Sequence, residues 1–154
     1  PHYEHLEMGY NYRMSNIAAA IGVGQLKVLD KRVAARRANH DFYQALLTNV
    51  EGVQFLEEPE GYFSNRWLSC IIIDPLVTGI SREDLRLALE KENIESRPLW
   101  KPMHMQPLFE NCDYYGTDFS EKLFQDGLCL PSGSNLTPQE KERILNQLKV
   151  VFSC

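Results

Sequence analysis

The sequence predicts an α/β domain: a small mixed or antiparallel sheet covered by helices and preceded by a long N-terminal helix. Three observations predict it. Helical periodicity runs unbroken from Ser15 to about Thr48, "RWLSCIIID" is an apolar, β-branched run of strand length, and two capped amphipathic stretches follow that run. A chain of 154 residues, 44% hydrophobic and 24% charged, can bury one sizeable core and is too apolar for a disordered class.

The long helix starts at Ser15, whose hydroxyl can accept from a first-turn amide that otherwise lacks a partner. Ile17, Ile21, Gly24, Val28 and Ala35 then recur at helical spacing, while Lys27, Lys31, Arg32, Arg36 and Arg37 supply a polar face. Gly22 and Gly24 each cost a helix interior about 1 kcal/mol relative to Ala. That cost points to close packing against another backbone, in a core or at a subunit interface, or else to glycines merely tolerated.

After the acidic "LEEPEGYFSN", the run closed by Asp74-Pro75 reads as a central, well-buried strand. "ISREDLRLALEKENI" opens on a capping signal at Ser81 and puts Leu85, Ala88 and Leu89 on one face. "IESRPL" is its returning strand. A helix over 117–126 carries Phe119, Leu123 and Phe124, and the short apolar "GLCLP" comes after it. Thr137-Pro138 then caps a last helix with an apolar stripe of Ile144, Leu145, Leu148 and Val151. The expected order is long helix, strand, helix, strand, helix, short strand, helix.

The net charge of −5 argues against a general nucleic-acid binder but leaves room for a small anionic ligand in a local basic pocket. No apolar run approaches the roughly 20 residues that cross a bilayer, and no secretion-signal pattern opens the chain, so the expected location is the cytoplasm, without a membrane partner. Cys70, Cys112, Cys129 and Cys154 lack a C-x-x-C pair, which argues against a zinc ribbon or redox dithiol; Cys70 and Cys129 read as small core residues. His2 and His5 could share a helical face, yet no third metal ligand accompanies them. The opening "PHYEH", without an initiator Met, reads as a piece of a longer protein.

Two segments carry candidate chemistry. In "GYNYRMSNIAAAIG", Tyr10, Asn11, Tyr12 and Arg13 precede a helix start, where they either cap and cover the helix or present donors to an anion. In "ESRPLWKPMHMQPLF", Pro98, Pro102 and Pro107 stiffen a backbone that bears Arg97, Trp100, Lys101, His104 and Gln106. Arg and Lys can hold a diphosphate, Trp offers a flat face to a sugar or base, and His can exchange a proton near neutral pH. The alternative is a stiff surface connection with Trp100 packed into the core.

Together "GYNYRMSNIAAAIGVGQL", "SRPLWKPMHMQPLF" and "GLCLPSGSNLTPQE" resemble the C-terminal portion of the DegT/StrS nucleotide-sugar aminotransferases, and "ESRPLWKPMH" resembles the enzymes that aminate a UDP-linked 4-keto sugar. The resemblance implies a fold type I, pyridoxal-phosphate-dependent homodimer that takes an amino group from glutamate, for surface-polysaccharide or glycan precursors. It implies that Asn11 bonds the coenzyme phosphate across the dimer. It also implies that Arg13 adds charge for that phosphate or the nucleotide, and that Arg97, Trp100, Lys101 and His104 line the sugar-nucleotide side. Residues 1–50 would then be an interface loop and long helix linking from a large coenzyme-binding domain, and residues 51–154 a small C-terminal α/β domain. The Schiff-base lysine is expected upstream of Pro1, so the chain alone is expected to be inactive. A dehydratase or deoxygenase of the same family that uses pyridoxamine phosphate, and a non-catalytic binding module, remain alternatives.

Overall fold

The computed structural model describes residues 3–153. In chain order the elements are α1 (Asn16–Leu26), α2 (Leu29–Leu47), β1 (Val53–Phe55), β2 (Ser69–Ile73), α3 (Pro75–Thr78), α4 (Arg82–Lys91), β3 (Arg97–Pro98), α5 (Phe119–Asp126), β4 (Gly127–Leu130) and α6 (Pro138–Phe152). The strands form one sheet in the order β1-β2-β4-β3, and every pair is antiparallel. The expected α/β class and helix-covered sheet are therefore what the chain builds.

Two expectations need correction. The single helix from Ser15 to Thr48 is two helices, kinked at Val28, whose φ of −118° and ψ of 8° leave the helical well. The kink keeps its hydrogen bonds, from Val28 N to Gln25 O and from Arg32 N to Val28 O. No residue of α1 is buried against the described chain, so no packing there holds α1 in line with α2. The expected element order also lacked β1. Three residues are too short to show an alternating pattern, and β1 is identified only by its register, Val53 opposite Ile73 and Phe55 opposite Ile71.

Local signals fix the other boundaries. Ser15 accepts from Ala18 N at 3.2 Å, and Ser81 with Asp84 and Thr137 with Glu140 each complete a reciprocal capping box. Asp74 caps α3 by accepting from Leu76 N at 2.9 Å, which stops β2 where Asp74-Pro75 was expected to stop it. Gly52, at φ 85°, lies where a Cβ would come within 2.8 Å of the Thr78 methyl, so that turn requires glycine.

One face of the sheet makes the core. Ile71 and Ile73 of β2 and Leu128 and Leu130 of β4 meet Tyr43 and Leu47 from α2, Leu85 and Leu89 from α4, and Ile144 and Leu148 from α6. Each such side chain contributes about 1.5–3 kcal/mol by leaving water. Arg36 and Arg37, on the polar face of the helix, turn toward the chain. Arg37 pairs with Glu58 at 2.8 Å and donates to Ser64 O, and the bonds that Glu58 accepts from Arg37 and from the Ser64 amide hold its carboxyl below its usual range. Arg36 donates to Trp67 O and to Ser132 O.

Tyr43 ties the core to the segment after β4: its ring is fully buried and its hydroxyl donates to Pro131 O at 2.7 Å. Tyr43→Phe should keep the packing and strand that carbonyl, lowering unfolding stability by about 1–3 kcal/mol in a urea titration. An unchanged midpoint would mean that water takes over the bond.

Candidate functional site

The site segment grows from the end of β3. Arg97 lies opposite Cys129 and Pro98 opposite Leu128, and pairing fades after Leu99 N reaches Gly127 O at 3.2 Å. Pro98 has no amide hydrogen, so the strand stays short and at the sheet edge. Pro102 then holds an extended conformation, φ −56° and ψ 149°, ahead of two single 3-10 turns, Met103–Met105 and Pro107–Phe109, with Gln106 between them. The prolines thus keep this segment extended and turned, as their positions predict.

Arg97 is exposed and oriented from two sides. Its Nε donates to Glu95 Oε1 at 2.7 Å and its Nη1 to Tyr3 Oη at 2.7 Å; the bond to Glu95 raises its pKa further. Trp100 is half exposed, and its ring lies 5.7 Å from that of Trp67, tilted by 33°. Trp67 is in turn held at its backbone, where its amide donates to Asn65 Oδ1 and its carbonyl accepts from Arg36. A cleft of about 510 Å³ opens here, lined by Trp67, Ser96, Arg97, Trp100, Ser132 and Arg143 among others. Ser96 lines the cleft, but its Oγ is buried, without a hydrogen-bond partner among the described residues.

Cys129 also lines the cleft. It is buried and faces half-buried Cys70 across the strand pair with 3.6 Å between the sulfurs, both as free thiols. The bond to Cys70 and burial push the Cys129 thiol up, which keeps it protonated and inert.

The remaining candidates lie elsewhere. Lys101 Nζ is paired with Glu4 at 2.9 Å and is mostly buried, and it does not line the cleft. His104 Nε2 meets Glu121 Oε1 of α5 at 3.0 Å, while its ring stacks on Tyr114 at 3.8 Å between centroids. Asn11 and Arg13 are exposed on the loop before α1. The structure thus brings Arg97 and Trp100 together, sets Lys101 and His104 further along the same segment against acidic partners, and keeps Asn11 and Arg13 apart. The alternative of Trp100 as a core residue is corrected by its exposure. His2, weighed with His5 as a metal pair, lies outside the described residues.

Sequence reasoning missed Tyr3, Glu4, Trp67, Tyr114 and Glu121. Arg97 and Tyr3 are 94 positions apart, and Lys101 and Glu4 are 97. No local pattern encodes such pairs; Trp67 alone had a signal, as a large aromatic at the open end of a strand run.

Over residues 1–149 the sequence matches the DegT/DnrJ/EryC1/StrS aminotransferase family. The chain belongs to this family. It is 45% identical over 155 aligned positions to EpsN of Bacillus subtilis, provisionally named a pyridoxal phosphate-dependent aminotransferase, covering 98% of this chain and 39% of EpsN. It is 35% identical over 153 positions to the GDP-perosamine synthase of Vibrio cholerae, covering 99% of this chain and 41% of the synthase. The fold matches the crystal structure of a DegT/DnrJ/EryC1/StrS aminotransferase from Brucella abortus with a TM-score of 0.79 at 25% identity, over 100% of this chain and 40% of that one. The chain therefore spans about 40% of the length of these relatives. No helix among the described residues is long and apolar enough to cross a membrane.

The Trp67–Trp100 pair gives this part of the family fold a spectroscopic signature. Close, tilted indoles couple their transitions, so Trp67→Phe and Trp100→Phe should each remove the same far-ultraviolet exciton feature from the circular dichroism spectrum while stability changes by less than about 1.5 kcal/mol. Spectra that differ between the two variants would mean that the rings do not pair in solution.

Proposed function

We propose that this chain is the C-terminal part of a pyridoxal-phosphate-dependent aminotransferase that moves an amino group from glutamate to a 4-keto sugar carried on a nucleotide, with UDP as the first candidate. The observation that carries the reading is the proline-stiffened segment after β3. It presents Arg97 and a half-exposed Trp100 in one cleft, in a chain of this aminotransferase family. The name of the Vibrio cholerae relative favours GDP, so the nucleotide is tested with both.

The coenzyme, when bound, supplies the electron sink that makes amino transfer between carbon centres feasible. The residues present suit its phosphate edge. Asn11 offers a neutral amide donor and Arg13 a cation, both exposed, and neither side chain is tied to another described residue. The Ser15 cap fixes the chain just downstream of them, so the donors sit on a held loop end. Residues 1–50 are read as the link from the large coenzyme domain.

On the substrate side Arg97 meets the diphosphate charge and Trp100, backed by Trp67, covers a sugar or base. Lys101 adds to the diphosphate site only by exchanging Glu4 for the ligand. Glu121 fixes the His104 ring; with the hydrogen on Nε2 donated to Glu121, Nδ1 remains an acceptor for a sugar hydroxyl. The homodimer rests on α1. Ile17, Ile21, Val23 and Leu26 are all exposed and spread round the helix, and a Cβ at Gly22 or Gly24 would meet nothing within 4 Å, so a second copy can pack closely against α1. A cytoplasmic location fits an enzyme that works on nucleotide sugars.

The test separates the two halves of the reaction in the full-length protein, supplied with glutamate and with UDP- and GDP-linked 4-keto sugars. Trp100→Ala and Arg97→Ala should raise KM for the nucleotide sugar about tenfold, leave kcat nearly unchanged and spare the glutamate half. Asn11→Ala should weaken coenzyme affinity about tenfold or more, since a bond to a charged group is worth roughly 1.5–3 kcal/mol. Equal loss in both halves with a lowered thermal midpoint would return the segment to a packing role. Failure to aminate either sugar would overturn the proposed activity.

A further inference from the structure

Gln106 is 2% exposed, the most buried residue of the proline-rich segment, and its carboxamide is almost fully used. Its Nε2 donates to Tyr3 O at 3.1 Å and to Lys101 O at 3.3 Å, while its Oε1 accepts from His5 N at 3.0 Å. Tyr3 and His5 are two residues apart, so one planar side chain meets the carbonyl of the first and the amide of the second, as a neighbouring strand would. Gln106 is itself fixed by its backbone, its amide donating to Met103 O at 3.0 Å and its carbonyl accepting from Phe109 N at 2.8 Å. Two side-chain contacts flank the clasp, Arg97 to Tyr3 Oη and Lys101 to Glu4.

The clasp matters because of the loop immediately downstream. Residues 6–14 are exposed, and the chain is next fastened at the Ser15 cap. His5 is therefore the upstream anchor of the loop that carries Asn11 and Arg13. A loop fastened at both ends samples far fewer conformations than one fastened at the helix alone.

We propose that Gln106 is a positioning residue: by hydrogen-bonding the backbone of Tyr3 and His5 it sets the place of the Gly9–Arg13 loop relative to the Arg97–His104 segment, coupling the coenzyme side of the site to the sugar-nucleotide side. The consequence for ligands rests on the proposed aminotransferase reading; the clasp itself does not. Gln106 touches neither ligand in this scheme, and both surfaces inherit their spacing from its three bonds. The flanking ion pair is the weaker restraint, because the Glu4 carboxylate is open to solvent, where such pairs are screened by salt.

The test uses Gln106→Met in the full-length protein, which keeps side-chain length and removes all three bonds, with Lys101→Met as the comparison that removes only the flanking ion pair. Hydrogen exchange should quicken about tenfold at the His5 amide, which Gln106 bonds, in Gln106→Met, with protection in β2 and β4 unchanged. Lys101→Met should change that exchange by less than about twofold. Coenzyme Kd, read by spectral titration, should rise about fivefold in Gln106→Met, with KM for the nucleotide sugar rising and kcat largely kept. Unchanged exchange at the His5 amide would overturn the proposal. So would exchange that quickens equally in β2 and β4, which marks a packing role, or faster His5 exchange with an unaltered coenzyme Kd. If the unsubstituted protein binds no pyridoxal phosphate, the aminotransferase reading fails, while the exchange data still decide whether Gln106 holds the loop.

Discussion

Past the end of β4, three successive carbonyls, those of Pro131, Ser132 and Gly133, are all satisfied by one face of α2. Tyr43 Oη, Arg36 Nη1 and Asn39 Nδ2 reach them at 2.7, 3.2 and 2.9 Å respectively. Arg36, Asn39 and Tyr43 are spaced by three and four residues, so a single helical face carries the whole row. Each bond contributes a modest net of about 0.5–1.5 kcal/mol, and a buried carbonyl left without a donor costs about 1–3 kcal/mol. It fixes the axial position of α2 on the sheet. Arg36 extends the constraint, because the same guanidinium also takes Trp67 O and so sets one wall of the cleft.

Two halves of the molecule depend on that docking in different ways. The sheet half owns its core, with Ile71, Ile73, Leu128 and Leu130 enclosed by three helices. The N-terminal half owns almost none, for α1 buries no residue and the loop before it is exposed. Residues 3–5 are placed by polar contacts with Gln106, Arg97 and Lys101, while α2 is placed by the carbonyl row together with the core packing of Tyr43 and Leu47. Such a design leaves exposed apolar residues all round α1, while the segment from Arg97 to Gln106 keeps its shape from prolines and from residues 3–5 laid over it.

How much of this was legible in the sequence depends on the range of each interaction. Caps at Ser15, Ser81 and Thr137 act over three residues and were read directly, and β2 announced itself by β-branched residues. β1 was not legible because three residues carry no period, and the kink at Val28 was not because α1 and α2 share one continuous pattern. At the candidate site, three prolines marked the Arg97–Pro107 segment as held, and a Trp among cations marked it as a binding surface. The ion pair that occupies Lys101, the Glu121 carboxylate on His104 and the second tryptophan beside Trp100 all come from distant parts of the chain. Only the fold brings them there.

The central proposal is that this chain supplies two surfaces to the aminotransferase dimer, the Asn11 loop for the coenzyme phosphate across the dimer and the Arg97–His104 segment for the sugar nucleotide, held at a fixed spacing. A crystal structure of the full-length protein with pyridoxal phosphate and a nucleotide sugar tests it most directly. The account predicts Asn11 Nδ2 within hydrogen-bonding distance of a coenzyme phosphate oxygen and Arg97 and Trp100 against the sugar nucleotide. Asn11 facing solvent, or a sugar nucleotide bound away from the Trp67–Trp100 cleft, would contradict it.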